Sequence, residues 1–143
     1  MIRKAEIKDL EMVCELASKL YHADKLELMD EFKEIIKSTN NAFFLKFDKL
    51  FCIGFAHVSL RQDYVEGTNS SPVGYLEGIF IQPKYRNLGY AKSLIKECEN
   101  WAIDLGCTEF ASDCELENEQ SIRFHLKSGF KIANKIVCFT KKL

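Results

Sequence analysis

Two carboxylates and one basic, glycine-bearing turn are the groups in this chain placed to do chemistry. Glu77 is the one acid in the run Tyr75-Leu76-Glu77-Gly78-Ile79-Phe80-Ile81, and Asp113 follows the short run Phe110-Ala111-Ser112. A carboxylate beside an amine can attract its cationic form, orient it and take its proton, directly or through water. An alkyl ammonium like that of lysine, with a pKa of about 10.4, must lose that proton before it can act as a nucleophile. The second feature is Arg86-Asn87-Leu88-Gly89-Tyr90-Ala91, which follows the strand-like run and Pro83, a residue with no N–H to continue a ladder. A strand, a short turn and a helix start gather free backbone N–H groups, and the helix dipole adds about half a positive charge there. That is a seat for a phosphate or pyrophosphate. Each acid also has a bland reading. A strand Glu more often faces water, and Asp113 leads into the acidic stretch Cys114-Glu115-Leu116-Glu117-Asn118-Glu119.

The elements that must hold these groups follow from periodicity. Ile2 to Lys4 reads as a strand. Leu10, Val13, Cys14, Leu16, Ala17, Leu20 and Tyr21 repeat with helical spacing from Lys8, and a second helix is expected from about Lys25 to Lys37. Ala42–Phe47 and Leu50–Leu60 read as a hairpin joined by Asp48-Lys49, and a polar loop from Arg61 to Pro72 leads to a strand over Val73–Ile81. Tyr90 to Leu105 is the clearest helix, closed by Gly106. A short strand over Phe110–Ser112, a helix from Asn118 to Gly129 and strands over Phe130–Ile132 and Ile136–Thr140 complete the chain. The fold class expected is α/β (α+β), with a central mixed, mostly antiparallel sheet and helices on both faces.

With 143 residues, 47% of them hydrophobic and 29% charged, the chain fits one globular domain over 1–143. A net charge of −1 gives no case for nucleic acid or a membrane surface as partner. No apolar run approaches the ~20 residues of a membrane span, and the first residues lack a hydrophobic signal core, so a cytoplasmic protein is expected. Six scattered cysteines without a C-x-x-C pair argue against zinc and a disulfide framework; most read as small core residues.

The spelling of two motifs adds to this. Arg86-x-x-Gly89-x-Ala91 resembles the Q/R-x-x-G-x-G/A motif of the GNAT acyl-CoA N-acetyltransferases, and Asn118 through Phe130 resembles their N-x-x-A-x-x-x-Y-x-K-x-G-F signature. The resemblance implies acetyl-CoA as co-substrate, no metal, and fourth and fifth strands that splay apart to admit the pantetheine arm. From Gly54 onward the chain is similar to the aminoglycoside 6'-N-acetyltransferases of type I, on Ser59–Thr68, Ser71–Phe80 and Cys107–Asp113. That resemblance implies acetyl transfer to the 6'-amine of an aminoglycoside in a ternary complex, conferring antibiotic resistance. It gives Glu77 and Asp113 to the antibiotic, one of them as base, without choosing between them. His125 stands where many family members carry a Tyr that protonates the leaving thiolate. Tyr21 and Tyr64 fall where the subgroup has substrate-contacting aromatics, the first usually Trp.

For the cofactor, the resemblance implies binding by Ile79, Phe80 and Ile81, with backbone groups of Ile79 and Ile81 directed to the pantetheine and the thioester carbonyl. Arg86, Asn87, Leu88, Gly89, Tyr90 and Ala91 would hold the pyrophosphate, and Asn118 the CoA arm. After Gly129-Phe130 the subgroup tends to be acidic, whereas this chain has Lys131, Asn134 and Lys135 in a segment expected to border the amine site. Weaker binding of a polycation is the expected result. The departures leave two alternatives: a GNAT acetyltransferase acting on another small amine or a protein N-terminus, and a non-catalytic CoA-binding sensor. Relatives pair, often through C-terminal strands, so a homodimer is expected; Ile136-Val137-Cys138-Phe139 suits that or the core.

Overall fold

The structure is a computed structural model describing residues 1–143. Five strands and four helices alternate along it: β1 (Ile2–Lys4), α1 (Leu10–Tyr21), α2 (Lys25–Ile35), β2 (Asn41–Asp48), β3 (Phe51–Arg61), β4 (Val73–Ile81), α3 (Tyr90–Asp104), β5 (Phe110–Ser112) and α4 (Glu119–Lys127). The strands lie in sequence order in one sheet, with the first three pairings antiparallel and β4–β5 parallel. A mixed, mostly antiparallel sheet was expected, and this is one.

Strand alternation sends β2 and β3 side chains to two separate cores. Phe43, Leu45 and Phe55 meet Val13, Leu16, Ala17, Leu28 and Phe32 of α1 and α2 on one face. On the other, Ala42, Phe44, Ala56 and Val58 pack with Leu94, Ile95 and Cys98 of α3. Burial on both sides explains why β3 reads as a nearly continuous apolar run rather than an alternating one.

Two departures from plain strand geometry shape the centre of the sheet. The β3–β4 register shifts between His57 and Val58: His57 faces Gly78 and Val58 faces Leu76, which leaves Glu77 as the extra residue of a β-bulge. Side-chain parity flips across it. Leu76 and Ile79, three residues apart, both pack toward α3, and Phe80 faces α1. Second, β5 pairs with β4 only over Gly74–Leu76, with Phe110–Ser112 as partners. Beyond Leu76 the fourth and fifth strands part, as the family resemblance implied, and β4 keeps a partner on one side alone.

The element boundaries differ slightly from the periodicity. Ile7–Asp9 is a 3-10 turn, so α1 starts at Leu10, and the β2–β3 turn falls on Lys49-Leu50 with Lys49 at φ 53°. One expectation is corrected. Neither Phe130–Ile132 nor Ile136–Thr140 is a strand; residues 131–143 form no regular element. Ala133 lies against Gly67, and the Asn134 amide donates to Glu66 Oε1 at 3.3 Å. Past that point Ile136, Val137 and Phe139 stand exposed. Apolar, β-branched sequence becomes a strand only where it pairs with an edge, and within this chain the segment pairs with none.

Candidate functional site

The gap between the diverging strands is a cleft of about 150 Å³ whose walls include Tyr21, Glu77, Gly78, Ser112, Asp113 and His125. Four elements converge there. α1 ends at Tyr21, where His22 takes a left-handed conformation (φ 51°) and stops the helix. This brings the Tyr21 hydroxyl to the Glu77 carbonyl at 3.5 Å and onto Gly78, where an added Cβ would lie 2.1 Å from the phenol oxygen. Gly78 is therefore glycine for space. Burial, with help from the Glu77 charge, pushes the Tyr21 phenol up to about 12, so it stays a neutral donor at physiological pH.

The two acids are both at the cleft but are held differently. Glu77 Oε1 accepts from Ser59 Oγ at 2.7 Å and from Arg61 Nε at 3.1 Å, while one Arg61 terminal nitrogen lies 2.9 Å from both carboxylate oxygens. Burial of the carboxyl pushes its pKa up, but the Arg61 and Ser59 hydrogen bonds and the Arg61 charge outweigh this and hold it below the ordinary range. Asp113 is exposed and accepts one hydrogen bond at Oδ2, from the Tyr75 hydroxyl. Burial, then this bond, raises the Tyr75 pKa, so the phenol keeps its proton.

His125, on α4, completes the far wall. Its Nδ1 is 2.7 Å from the Ser121 carbonyl, which can only accept, so Nδ1 carries a hydrogen. Nε2 is 2.9 Å from Ser112 Oγ and in the neutral ring can only accept, competing with the Leu76 carbonyl, 3.2 Å from the same hydroxyl, for its one hydrogen. A neutral His125 thus has no second proton to give; it can act as an acid only when protonated.

The turn after β4 has the form the sequence suggested. Pro83–Tyr85 makes a 3-10 turn, Asn87 and Gly89 take positive φ (62° and 82°), and α3 starts at Tyr90. An added Cβ on Gly89 would touch nothing within 4 Å, so that glycine serves its backbone conformation. The N–H groups of residues 87–91 make no hydrogen bond within the protein and point from the start of a fifteen-residue helix. Arg86 braces this turn: its Nε donates to the Ile81 carbonyl at 2.8 Å and its guanidinium lies over Phe80. An open hollow of about 490 Å³ beside the first turns is bordered by Gly89, Lys92, Ser93 and Lys96. Lys96 lies 3.7 Å from Glu99, which with Glu97 also borders the hollow, so the free N–H donors, the dipole and Lys92 are the groups that fit the phosphates of a coenzyme.

Of the residues named from sequence, Tyr21, Glu77, Ile79, Asp113 and His125 meet at the cleft. Asn118 caps α4, accepting from the Ser121 N–H at 3.1 Å. Tyr64 stands exposed in the β3–β4 loop and is not part of the cleft lining, and Asn134 meets Glu66 of the same loop. That loop is pinned: Glu109 accepts from Asn69 N–H and Ser70 Oγ, and Val65 is buried. Sequence reasoning missed Ser59, Arg61, Tyr75, Ser112 and Lys92. For the lysine a signal existed, its place in the first turn of a helix; for the others it did not, because cross-strand partners depend on register. No three His, Cys, Asp or Glu side chains cluster as a metal site requires.

Comparison with known proteins agrees with this geometry. The acetyltransferase (GNAT) family pattern matches residues 6–130. The chain is 36% identical over 142 residues to aminoglycoside N(6')-acetyltransferase type 1 of Acinetobacter haemolyticus, covering 99% of this chain and 98% of that one. It is 40% identical over 121 residues to the enzyme of the same name from Salmonella typhimurium, covering 85% and 83%. The solved structure of AAC(6')-Iy with the bisubstrate analogue CoA-S-monomethyl-acetylneamine matches with a TM-score of 0.93 and 36% identity, over 100% of this chain and 98% of that one.

Proposed function

Because the chain belongs to the GNAT acetyltransferase family, within the aminoglycoside N(6')-acetyltransferases of type 1, we propose that it moves acetyl from acetyl-CoA to the 6'-amine of aminoglycoside antibiotics, conferring resistance. The observation that carries the reading is the pair of acids at the opening between β4 and β5, beside a helix start suited to phosphates. In a ternary complex the amine nitrogen attacks the thioester carbon. The C–N bond forms, the C–S bond breaks, an N–H proton passes to a carboxylate, and the departing thiolate takes a proton from solvent, to which the carboxylate later returns its own.

We assign the proton-accepting role to Asp113, directly or through water. Its Oδ1 has no protein donor, whereas Glu77 is engaged by Ser59 and Arg61. Glu77 then orients the cationic substrate, and Tyr21 offers it a neutral hydroxyl. Tyr64, Glu66 and Asn134 form an outer rim for the rest of the drug. On the coenzyme side, residues 86–91 with Lys92 take the phosphates, the unpaired edge of β4 from Ile79 to Ile81 the pantetheine, and the Asn118 amide the arm.

The decisive assay follows free thiol from acetyl-CoA with kanamycin, tobramycin, polyamines and peptides as acceptors. Turnover fastest with a 6'-amino drug is expected. No turnover with any such drug, or a polyamine that outruns all of them, overturns the reading.

The same proposal includes a homodimer. Ile136, Val137 and Phe139 are exposed on a segment without regular structure, and the outer edge of β5 is the end of the sheet. A second copy of this segment laid along that edge would pair both. Phe139→Asp should then shift a dimer to monomer in sedimentation velocity, and a wild type that is already monomeric rejects the pairing. No helix is long and apolar enough to cross a membrane. The supply of acetyl-CoA, with six free cysteines, favours the cytoplasm.

A further inference from the structure

Glu77 lies in β4 and Asp113 directly follows β5, and the β4–β5 ladder ends at Leu76 and Ser112, one residue before each of them. Backbone pairing therefore does not fix how far apart the acids stand. Side chains do. Arg61, the last residue of β3, grips both oxygens of Glu77, and its guanidinium carbon lies 3.4 Å from the centre of the Tyr75 ring. Tyr75 is 6% exposed, packs with Val65, Val73 and Ala111, and directs its hydroxyl to Asp113 Oδ2.

We propose that Arg61 and Tyr75 form a strut that joins the two acids across the cleft and sets their separation and orientation for the amine. The proposal rests on the site reading above. Neither residue touches the reacting atoms; both are positioning residues. A planar guanidinium can do what an ammonium cannot, forking onto a carboxylate at its edge while stacking on an aromatic face. The cation over the ring also polarises the phenol, which strengthens its O–H as a donor to Asp113. The strut further leaves one oxygen of Asp113, a residue that lines the cleft, without a protein partner.

Tyr75→Phe tests this with little disturbance, since the ring, its packing and the stack are retained. With tobramycin as acceptor, kcat/KM should fall about fivefold while KM for acetyl-CoA stays within about twofold of wild type. Arg61→Met should give a larger fall of the same kind, and Arg61→Lys should recover only part of it. Wild-type kinetics in Tyr75→Phe and Arg61→Met overturn the proposal. So does a lower amine KM in Arg61→Met, which would make Arg61 a competitor for Glu77. A substrate-free readout separates this from failure of the proposed activity. The Arg61 Nε–H resonance should be slow to exchange with water and should move in Asp113→Asn, although the two side chains do not touch. A fast-exchanging resonance that ignores Asp113→Asn rejects the strut whatever the enzyme acetylates.

Discussion

The two walls of the cleft differ in how they are made. The β4 wall is backed by packed core: Glu77 lies over β3, and beneath it the buried ring of His57 stacks on Phe43 at 4.3 Å between centroids and hydrogen-bonds Asn41 Oδ1 at 2.8 Å. The opposite wall is a three-residue strand and a nine-residue helix with no fully buried residue. One wall is a fixed surface with a carboxylate held by several donors. The other carries a carboxylate with one donor, on a part of the chain that reaches the core only through half-buried side chains such as Phe110 and Phe124. A transferase that must admit two large substrates and release two products gains from that division. One side keeps register while the other can give way.

Four measurements can break or sharpen the contrast, and the largest effect should come from the looser wall. Asp113→Asn should lower kcat/KM by about 10²-fold or more if its free oxygen takes the proton. Steady-state kinetics at saturating acetyl-CoA decide it, and a loss smaller than that of Glu77→Gln reverses the roles assigned to the walls. The backing of the firm wall should show in its pH dependence. Burial pushes the His57 pKa down to about 4 from 6.5, so the unfolded chain takes up the proton first as pH falls. The stability tied to a neutral His57 is complete above pH 6.5 and drains away between there and about 4. Urea unfolding should find a loss of about 2 kcal/mol between pH 7 and pH 5, absent in His57→Phe. An equal slope in both proteins would remove His57 as its source.

Glu77→Gln should have a smaller effect on turnover, about tenfold in kcat/KM and mostly in the KM of the amine, because it keeps shape while leaving Arg61 without its countercharge. A change confined to kcat would instead make Glu77 the base. Smallest should be Gly78→Ala. The new methyl must displace the Tyr21 hydroxyl, a movable end rather than backbone, so a threefold rise in amine KM with an unchanged melting temperature is expected. A large loss of stability would show that Tyr21 cannot move.

Much of this was legible in the chain, and the parts that were not share a cause. The helix start at Tyr90 could be read because Pro83 and Gly89 act locally, and the helices because their period is local too. Glu77 and Asp113 could be placed in or just after strand-like runs for the same reason, while the adjacency of those two runs came from the family resemblance. The clasp on Glu77 could not be read. Arg61 is 16 residues away, and which residues face each other depends on a register that carries a bulge. Strict alternation would have put Glu77 and Ile79 on one side of the sheet. The C-terminal segment failed in the opposite sense: its composition reads as strand, but pairing is a property of two partners and a sequence shows only one.

The extra residue in β4 also limits how this enzyme can change. A side chain beside the drug can be exchanged for a slightly larger or smaller one, and affinity will drift by degrees. The offset itself has no intermediate values: a chain either holds one surplus residue there or it does not. Removing Gly78 would realign every later residue of β4, turning Ile79 and Ile81 away from α3 and Phe80 away from α1 in a single step. Adaptation to new antibiotics should therefore alter the lining of the cleft and leave the length of this strand untouched.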